Sequence, residues 1–186
     1  MSELPEQLTK ITLRRTGLKG DQIEMLEKLP KLKVLYLDIQ SIESETMVFS
    51  QGGFPHLEFL TLSDLWSLKE WRVEKEAMPR LHRLHIEWCP HLRAIPDGLQ
   101  HVSTLKELTI YLMPSRFCSR VEEGGEDFYK IKHVPSLIIT SIQPDEPEME
   151  EAAGSGSSRG EHDYLCLKTF NKLHWSTRNV MKIQLQ

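Results

Sequence analysis

The stretch RLHRLHIEWCPHL places His82, His85, Cys89 and His91 within ten residues. Imidazole and thiolate are zinc ligands, and three or four of them converging on one tetrahedral point would make a metal centre. A cysteine beside a histidine could instead form an activated nucleophile, provided a third group orients the pair. Either chemistry depends on where the backbone aims each side chain. Neighbouring carboxylates, Glu122 with Glu123 and Glu150 with Glu151, offer acid–base chemistry but read as solvated surface. No G-x-x-x-x-G-K-[ST] loop occurs, because Gly52-Gly53 precedes Phe-Pro and Gly124-Gly125 precedes Glu-Asp.

A recurring apolar triplet sets the elements that position these residues. EQLTKITL supplies Leu8, Ile11 and Leu13; PKLKVLYL supplies Leu32, Leu35 and Leu37; PHLEFLTL supplies Leu57, Leu60 and Leu62. PRLHRLHI and STLKELTI continue with Leu81, Leu84, Ile86 and Leu105, Leu108, Ile110, and HVPSLII adds Val134, Leu137 and Ile139. Successive first members are separated by 24, 25, 24, 24 and 29 residues. An L-x-x-L-x-L pattern at such a period is the leucine-rich-repeat signature. Each turn places its L-x-L pair inward on a short strand, and stacking against neighbouring turns buries it. The predicted fold is therefore an α/β leucine-rich-repeat solenoid, a horseshoe of about six repeats. Its parallel sheet lines the concave side, with irregular coil or short helices outside.

That frame answers the opening question. Leu84 and Ile86 point inward, so His85 between them points outward, while Cys89 continues the inward series toward Leu92 and Ile95. An inward thiol and an outward imidazole cannot share one small ion, and Cys89 is predicted to be a buried structural cysteine. No catalytic, cofactor-binding or metal-binding residue is assigned, and the chain is expected not to be an enzyme.

Side chains between the inward pairs form columns on the opposite sheet face. The first reads Lys10, Val34, Phe59, Arg83, Glu107; the second Thr12, Tyr36, Thr61, His85, Thr109; the third Arg14, Asp38, Ser63, Glu87, Tyr111. Parallel strands lie about 4.8 Å apart, so each column is a contiguous ladder. Trp88 and Leu112 lie at its edge. Aromatic and arginine side chains are enriched in binding hot spots. The predicted protein-binding face comprises Tyr36, Asp38, Phe59, Thr61, Arg83, His85, Glu87, Trp88, Glu107 and Tyr111, with Arg83 and Glu107 equally able to form an interstrand ion pair.

The 186 residues carry a mild net charge of −4, which does not suggest a nucleic-acid binder. MSELPEQLTK has no long apolar run of the kind a signal peptide or membrane span needs. Cys89, Cys118 and Cys166 are scattered, and neither Asn171 nor Asn179 starts an N-x-[ST] sequon. These features together favour the cytoplasm or nucleus.

Three segments are expected: a repeat domain at 1–142, an acidic Gly/Ser linker at 143–163 and a basic tail at 164–186. The linker carries seven acidic residues against one arginine and is predicted to be disordered. The tail's apolar spacing fits neither helix nor strand. Within the repeats, Asp21 followed by Glu24 suggests a helix cap. A short helix from Ser115, ended by Gly124-Gly125, would account for the step of 29.

The segments GGFPHLEFLTL, EKEAMPRL, EWCPHLRAIPDGL and GGEDFYKIKHVPSL resemble the C-terminal repeat region of plant coiled-coil, nucleotide-binding, leucine-rich-repeat disease resistance proteins, over about residues 1–139. The resemblance implies a non-catalytic recognition module of plant innate immunity. It would engage a pathogen effector, a host target or the receptor's own nucleotide-binding domain, with no cofactor, nucleic acid, membrane span or small-molecule substrate. The phosphate loop of that family is missing, so the chain is expected to be a fragment of such a receptor. A generic repeat scaffold or ubiquitin-ligase adaptor is the alternative, which an upstream F-box would favour; none is visible.

Overall fold

A computed structural model of the chain describes residues 7–142 and 181–184. Six short strands stack side by side in parallel: β1 (Lys10–Arg14), β2 (Val34–Asp38), β4 (Phe59–Ser63), β6 (Arg83–Glu87), β7 (Glu107–Pro114) and β8 (Ser136–Ile142). Their pairing follows the sequence period directly. Ile11 lies beside Leu35, Leu35 beside Leu60, Leu60 beside Leu84, Leu84 beside Leu108 and Leu108 beside Leu137. The inward residues of β2, β4, β6 and β7 are buried, whereas Ile11 and Leu13 on β1, the first strand of the sheet, are only half-covered. Each buried Leu or Ile contributes roughly 1.5 to 3 kcal/mol, so the repeat is the main source of stability.

The backbone leaves β1, β4 and β6 through the left-handed residues Arg15, Asp64 and Trp88; Gln40, two residues past β2, and Leu112, at the register shift within β7, share that conformation, all with φ between 46° and 54°. Turning there, the chain still continues the parallel ladder, since Asp64 N–H donates to Glu87 O (3.1 Å) and Trp88 N–H to Tyr111 O (3.2 Å). Arg15 N–H donates likewise to Ile39 O (2.7 Å). One step on, Cys89 sits wholly buried, its Sγ near Glu87 O (3.3 Å) and Leu62 O (3.8 Å). Burial pushes its thiol up to about 12, so it is an unreactive protonated group at neutral pH.

Behind the main sheet the chain is more regular than predicted. β3 (Thr46–Phe49) and β5 (Glu70–Val73) form a second, two-stranded parallel sheet where coil or helix was expected. TMVF and EWRV alternate in burial along each strand, placing Met47, Phe49, Trp71 and Val73 inside. Phe49 packs on Phe54 and Trp71 at centroid distances of 4.7 and 5.5 Å, an aromatic cluster between successive turns.

Helix α1 (Gly20–Glu27) begins one residue before Asp21, and its cap differs from the predicted Asp21–Glu24 pair. The Gln22 side chain accepts from the Lys19 backbone N–H (2.9 Å), satisfying a donor at the helix start. Helix α2 (Ser115–Val121) starts where expected and ends three residues before Gly124, which takes φ of +88°. Gly125 then passes so close to the helix end that a Cβ there would lie 2.3 Å from Ser119 O and 2.4 Å from Arg120 O. Gly125→Ala is therefore expected to destabilise the chain by about 1 to 3 kcal/mol, measured as a lowered urea midpoint at constant slope. An unchanged midpoint would mean that this turn repacks freely.

A seventh strand, β9 (Met181–Gln184), pairs antiparallel with β8. The tail, whose apolar spacing left its structure open, thus holds a strand at Met181–Gln184, and the rest of it, with the acidic linker, lies outside the described residues. Among the described residues no helix is long and apolar enough to cross a membrane.

Candidate functional site

With the inward residues of β2, β4, β6 and β7 buried and those of β1 half-covered, what these five strands offer a partner is the alternate face. The strand register brings the three predicted columns together. Lys10 lies beside Val34, Val34 beside Phe59, Phe59 beside Arg83 and Arg83 beside Glu107. Thr12, Tyr36, Thr61, His85 and Thr109 follow one another in the second column. In the third, Arg14 pairs with Asp38, Ser63 with Glu87 and Glu87 with Tyr111.

Side chains on this face bind one another across strands. Lys10 Nζ stands 5.1 Å from the Tyr36 ring centroid, and the Arg83 guanidinium 5.3 Å from that of Phe59. Both are cation–π distances. Arg83 also pairs with Glu107 (2.8 Å) and Arg14 with Asp38 (2.8 Å), while His85 pairs with Glu87 (3.0 Å) along β6 itself. Exposed pairs of this kind contribute only about 0 to 1 kcal/mol each, so they orient side chains more than they hold the fold. Tyr36, Phe59, Thr61 and Tyr111 are half-buried, flanked by neighbours and open on one side.

Trp88 stands off the columns. Its left-handed backbone turns the chain away from the strand, and its ring meets Trp66 edge-on at 6.0 Å. Trp66 was not anticipated. It follows the inward Leu65 by one residue, a position the triplet pattern leaves unassigned. Asp64 was also missed: burial raises its carboxyl above the ordinary range, and the charges of Asp38 and Glu87 add to the rise against a hydrogen bond from Ser63. On β8, Ile138 extends the second column beside Thr109.

The His/Cys group of the opening stretch is split by the fold. Cys89 is in the core, His85 is held by Glu87 on the outward face, and His91 lines a separate cleft. Among the described residues no three His, Cys, Asp or Glu side chains gather about a metal-sized point.

A stack of parallel strands at a 24-residue period, apolar within and mixed polar and aromatic without, defines a leucine-rich-repeat fold whose exposed sheet is suited to binding protein. Comparison with known families agrees: the chain belongs to the leucine-rich repeat region family, whose model matches residues 1–152. It is similar to a putative disease resistance protein of Arabidopsis thaliana, 44% identical over 151 residues, covering 81% of this chain and 16% of the relative. Two further Arabidopsis thaliana relatives are probable disease resistance RPP8-like protein 2 and disease resistance protein RPP8. The first is 43% identical over 133 residues, covering 72% of this chain and 15% of the relative. The second is 38% identical over 143 residues, covering 74% and 16%. The motifs quoted at the outset therefore point to the right relatives, and the chain spans about a sixth of their length.

Proposed function

We propose that this chain is a non-catalytic recognition module of plant defence, part of the repeat region of an intracellular disease resistance receptor. Its repeats form a horseshoe, and its binding face is the sheet surface bearing Tyr36, Asp38, Phe59, Thr61, Arg83, His85, Glu87, Trp88, Glu107 and Tyr111. The partner is a protein: a pathogen effector, a host protein the effector alters, or the nucleotide-binding domain of a receptor. The observation that carries this reading is the outward register, which aligns aromatic and charged side chains across five strands while opposite side chains fill the core. The names of the relatives support the defence role. Binding would act by favouring one of two receptor states.

The test replaces Tyr36, Phe59 and Trp88 together with Ala. Each side chain is incompletely buried, so circular dichroism should stay close to that of the parent. Capture of a defence-related partner from infected tissue is expected to fall by at least about 100-fold, as the loss of two or more hot-spot residues would produce. Capture at the parent level would move the binding face elsewhere.

A further inference from the structure

Outside the sheet face, the chain has an open cleft of about 820 Å³ whose cationic groups come from three successive turns. Lys69 comes from the turn before β5, His91 and Arg93 from the equivalent position one repeat later, and Arg116 and Arg120 from α2. None of the lining residues belongs to a strand of the main sheet. The repeat itself creates the convergence: Arg93 N–H donates to Lys69 O (3.1 Å), and Lys69 N–H to Glu45 O (2.8 Å). Equivalent side chains are thereby stacked, and two of the equivalent positions are basic.

The cations differ in how far they are satisfied. Lys69 is held by Glu45 (2.5 Å), and Arg120 by Asp127 (2.8 Å) and Glu126. Arg116 donates one bond to Pro90 O (3.1 Å) and has no carboxylate partner among the described residues. Arg93 forms no ion pair among the described residues. Two carboxylates that sense it, Glu45 and Glu70, are drawn below their ordinary values first by hydrogen bonds from Lys69 and Arg72, with Arg93 the lesser influence. Two guanidinium forks therefore line the cleft with donors to spare. Gly124 supplies part of the wall without a side chain, with open space where a Cβ would stand, leaving room for close approach to the backbone there.

We infer that this cleft binds a small ligand bearing clustered phosphate groups, with Arg93 and Arg116 as its bidentate donors. Guanidinium forks match phosphate oxygens in pairs, and several of them about one volume favour an anion carrying several such groups. The volume lies within the range of small-molecule sites, whereas a linear acidic peptide would be met by a strip of cations rather than by cations about one recess.

The test is calorimetric titration of the full chain with sodium tripolyphosphate, compared with inorganic phosphate and a hepta-glutamate peptide. Tripolyphosphate is expected to bind saturably and more tightly than either comparator, with affinity falling as salt rises from about 50 to about 300 mM. Arg93→Gln with Arg116→Gln should weaken it about 100-fold, roughly tenfold for each guanidinium, while the thermal melt stays at the parent midpoint. Both side chains are exposed, so the pair of substitutions leaves the core intact. Absence of saturable tripolyphosphate binding, or equal affinity in the double variant, overturns the assignment. Tighter binding of the glutamate peptide overturns it too, and would give the cleft to an acidic protein segment. The sheet-face variants leave these residues untouched, so the two readings fail independently.

Discussion

Leu84→Asp is expected to leave the chain without a cooperative thermal transition at neutral pH. Leu84 lies at the centre of the stack, 1% exposed, with Leu60 beside it on one strand and Leu108 on the other. Truncating a buried leucine costs about 2 to 5 kcal/mol. Placing an unpaired carboxylate in the same space adds a desolvation cost of several kcal/mol. Together these rival the total stability of an ordinary domain, about 5 to 15 kcal/mol. A repeat array also gains its stability from interfaces between neighbours, so a failure at β6 uncouples the turns on either side.

The same substitution one residue out of phase discriminates register from general damage. Thr61→Asp, next to the buried Leu62 but on the open face, should shift stability by less than about 1 kcal/mol. Leu84→Met, which keeps the volume, should cost less than about 1.5 kcal/mol. If Leu84→Asp melts like the parent, or if Thr61→Asp also unfolds the chain, the inward and outward assignments exchange. Every functional reading of the sheet face then goes with them.

The parts of this molecule legible from sequence are those in which one requirement repeats. Leu35, Leu60, Leu84 and Leu108 meet a single demand, an aliphatic group facing the core, so their spacing gives the strand register and with it the outward columns. The outer strands were missed because segments of four residues such as TMVF and EWRV are too short for their alternation to stand out, and their pairing depends on turns brought together only by stacking. The cap on α1 was misread because Gln22 satisfies the Lys19 N–H, which a motif search for an acidic residue passes over. Trp66 and Asp64 follow from the left-handed turn at Asp64 after β4, a backbone property that no side-chain pattern announces. The basic cleft escaped for a further reason. Lys69 and Arg93 are 24 positions apart and Arg116 another 23, so each looks like an isolated surface charge until the solenoid aligns them.

Asp127 marks the second place where one residue carries a large effect. Its carboxylate, 3% exposed, accepts two bonds from Arg120 (2.8 and 3.1 Å) and pairs with Lys130 (2.8 Å), itself 7% exposed. Lys130 also reaches Asp97 (2.6 Å) and donates to Ile95 O (2.9 Å), tying the long insertion after β7 to the turn one repeat earlier. Burial alone would push the Asp127 carboxyl up, but the bonds from Arg120 and Lys130 outweigh it and leave it below its ordinary value. For Lys130, burial pushes the ammonium down, and the bonds to Asp127 and Asp97 prevail and raise it. Proton linkage then gives the sign at each end of the pH scale. Asp127 contributes its full stability above its unfolded value near 3.8 and loses it as pH falls through its lower folded value. Lys130 contributes fully below its unfolded value near 10.5 and loses that contribution as pH rises through its higher folded value.

Asp127→Ala should therefore lower stability between about pH 5 and 9 by about 3 kcal/mol, because it leaves the buried ammonium with one exposed carboxylate and one carbonyl. The melting temperature would fall by on the order of 10 °C for a chain of this size, with a smaller loss toward acid pH, where the parent surrenders the same contribution. Lys130→Met separates the pair from its surroundings. If the two charges stabilise chiefly by answering each other, adding Lys130→Met to Asp127→Ala should restore part of the loss, since it removes the stranded cation from the interior. Losses that simply add would show that Asp127 acts through Arg120 alone, and that the insertion is anchored at its helix rather than at the turn carrying Ile95 and Asp97.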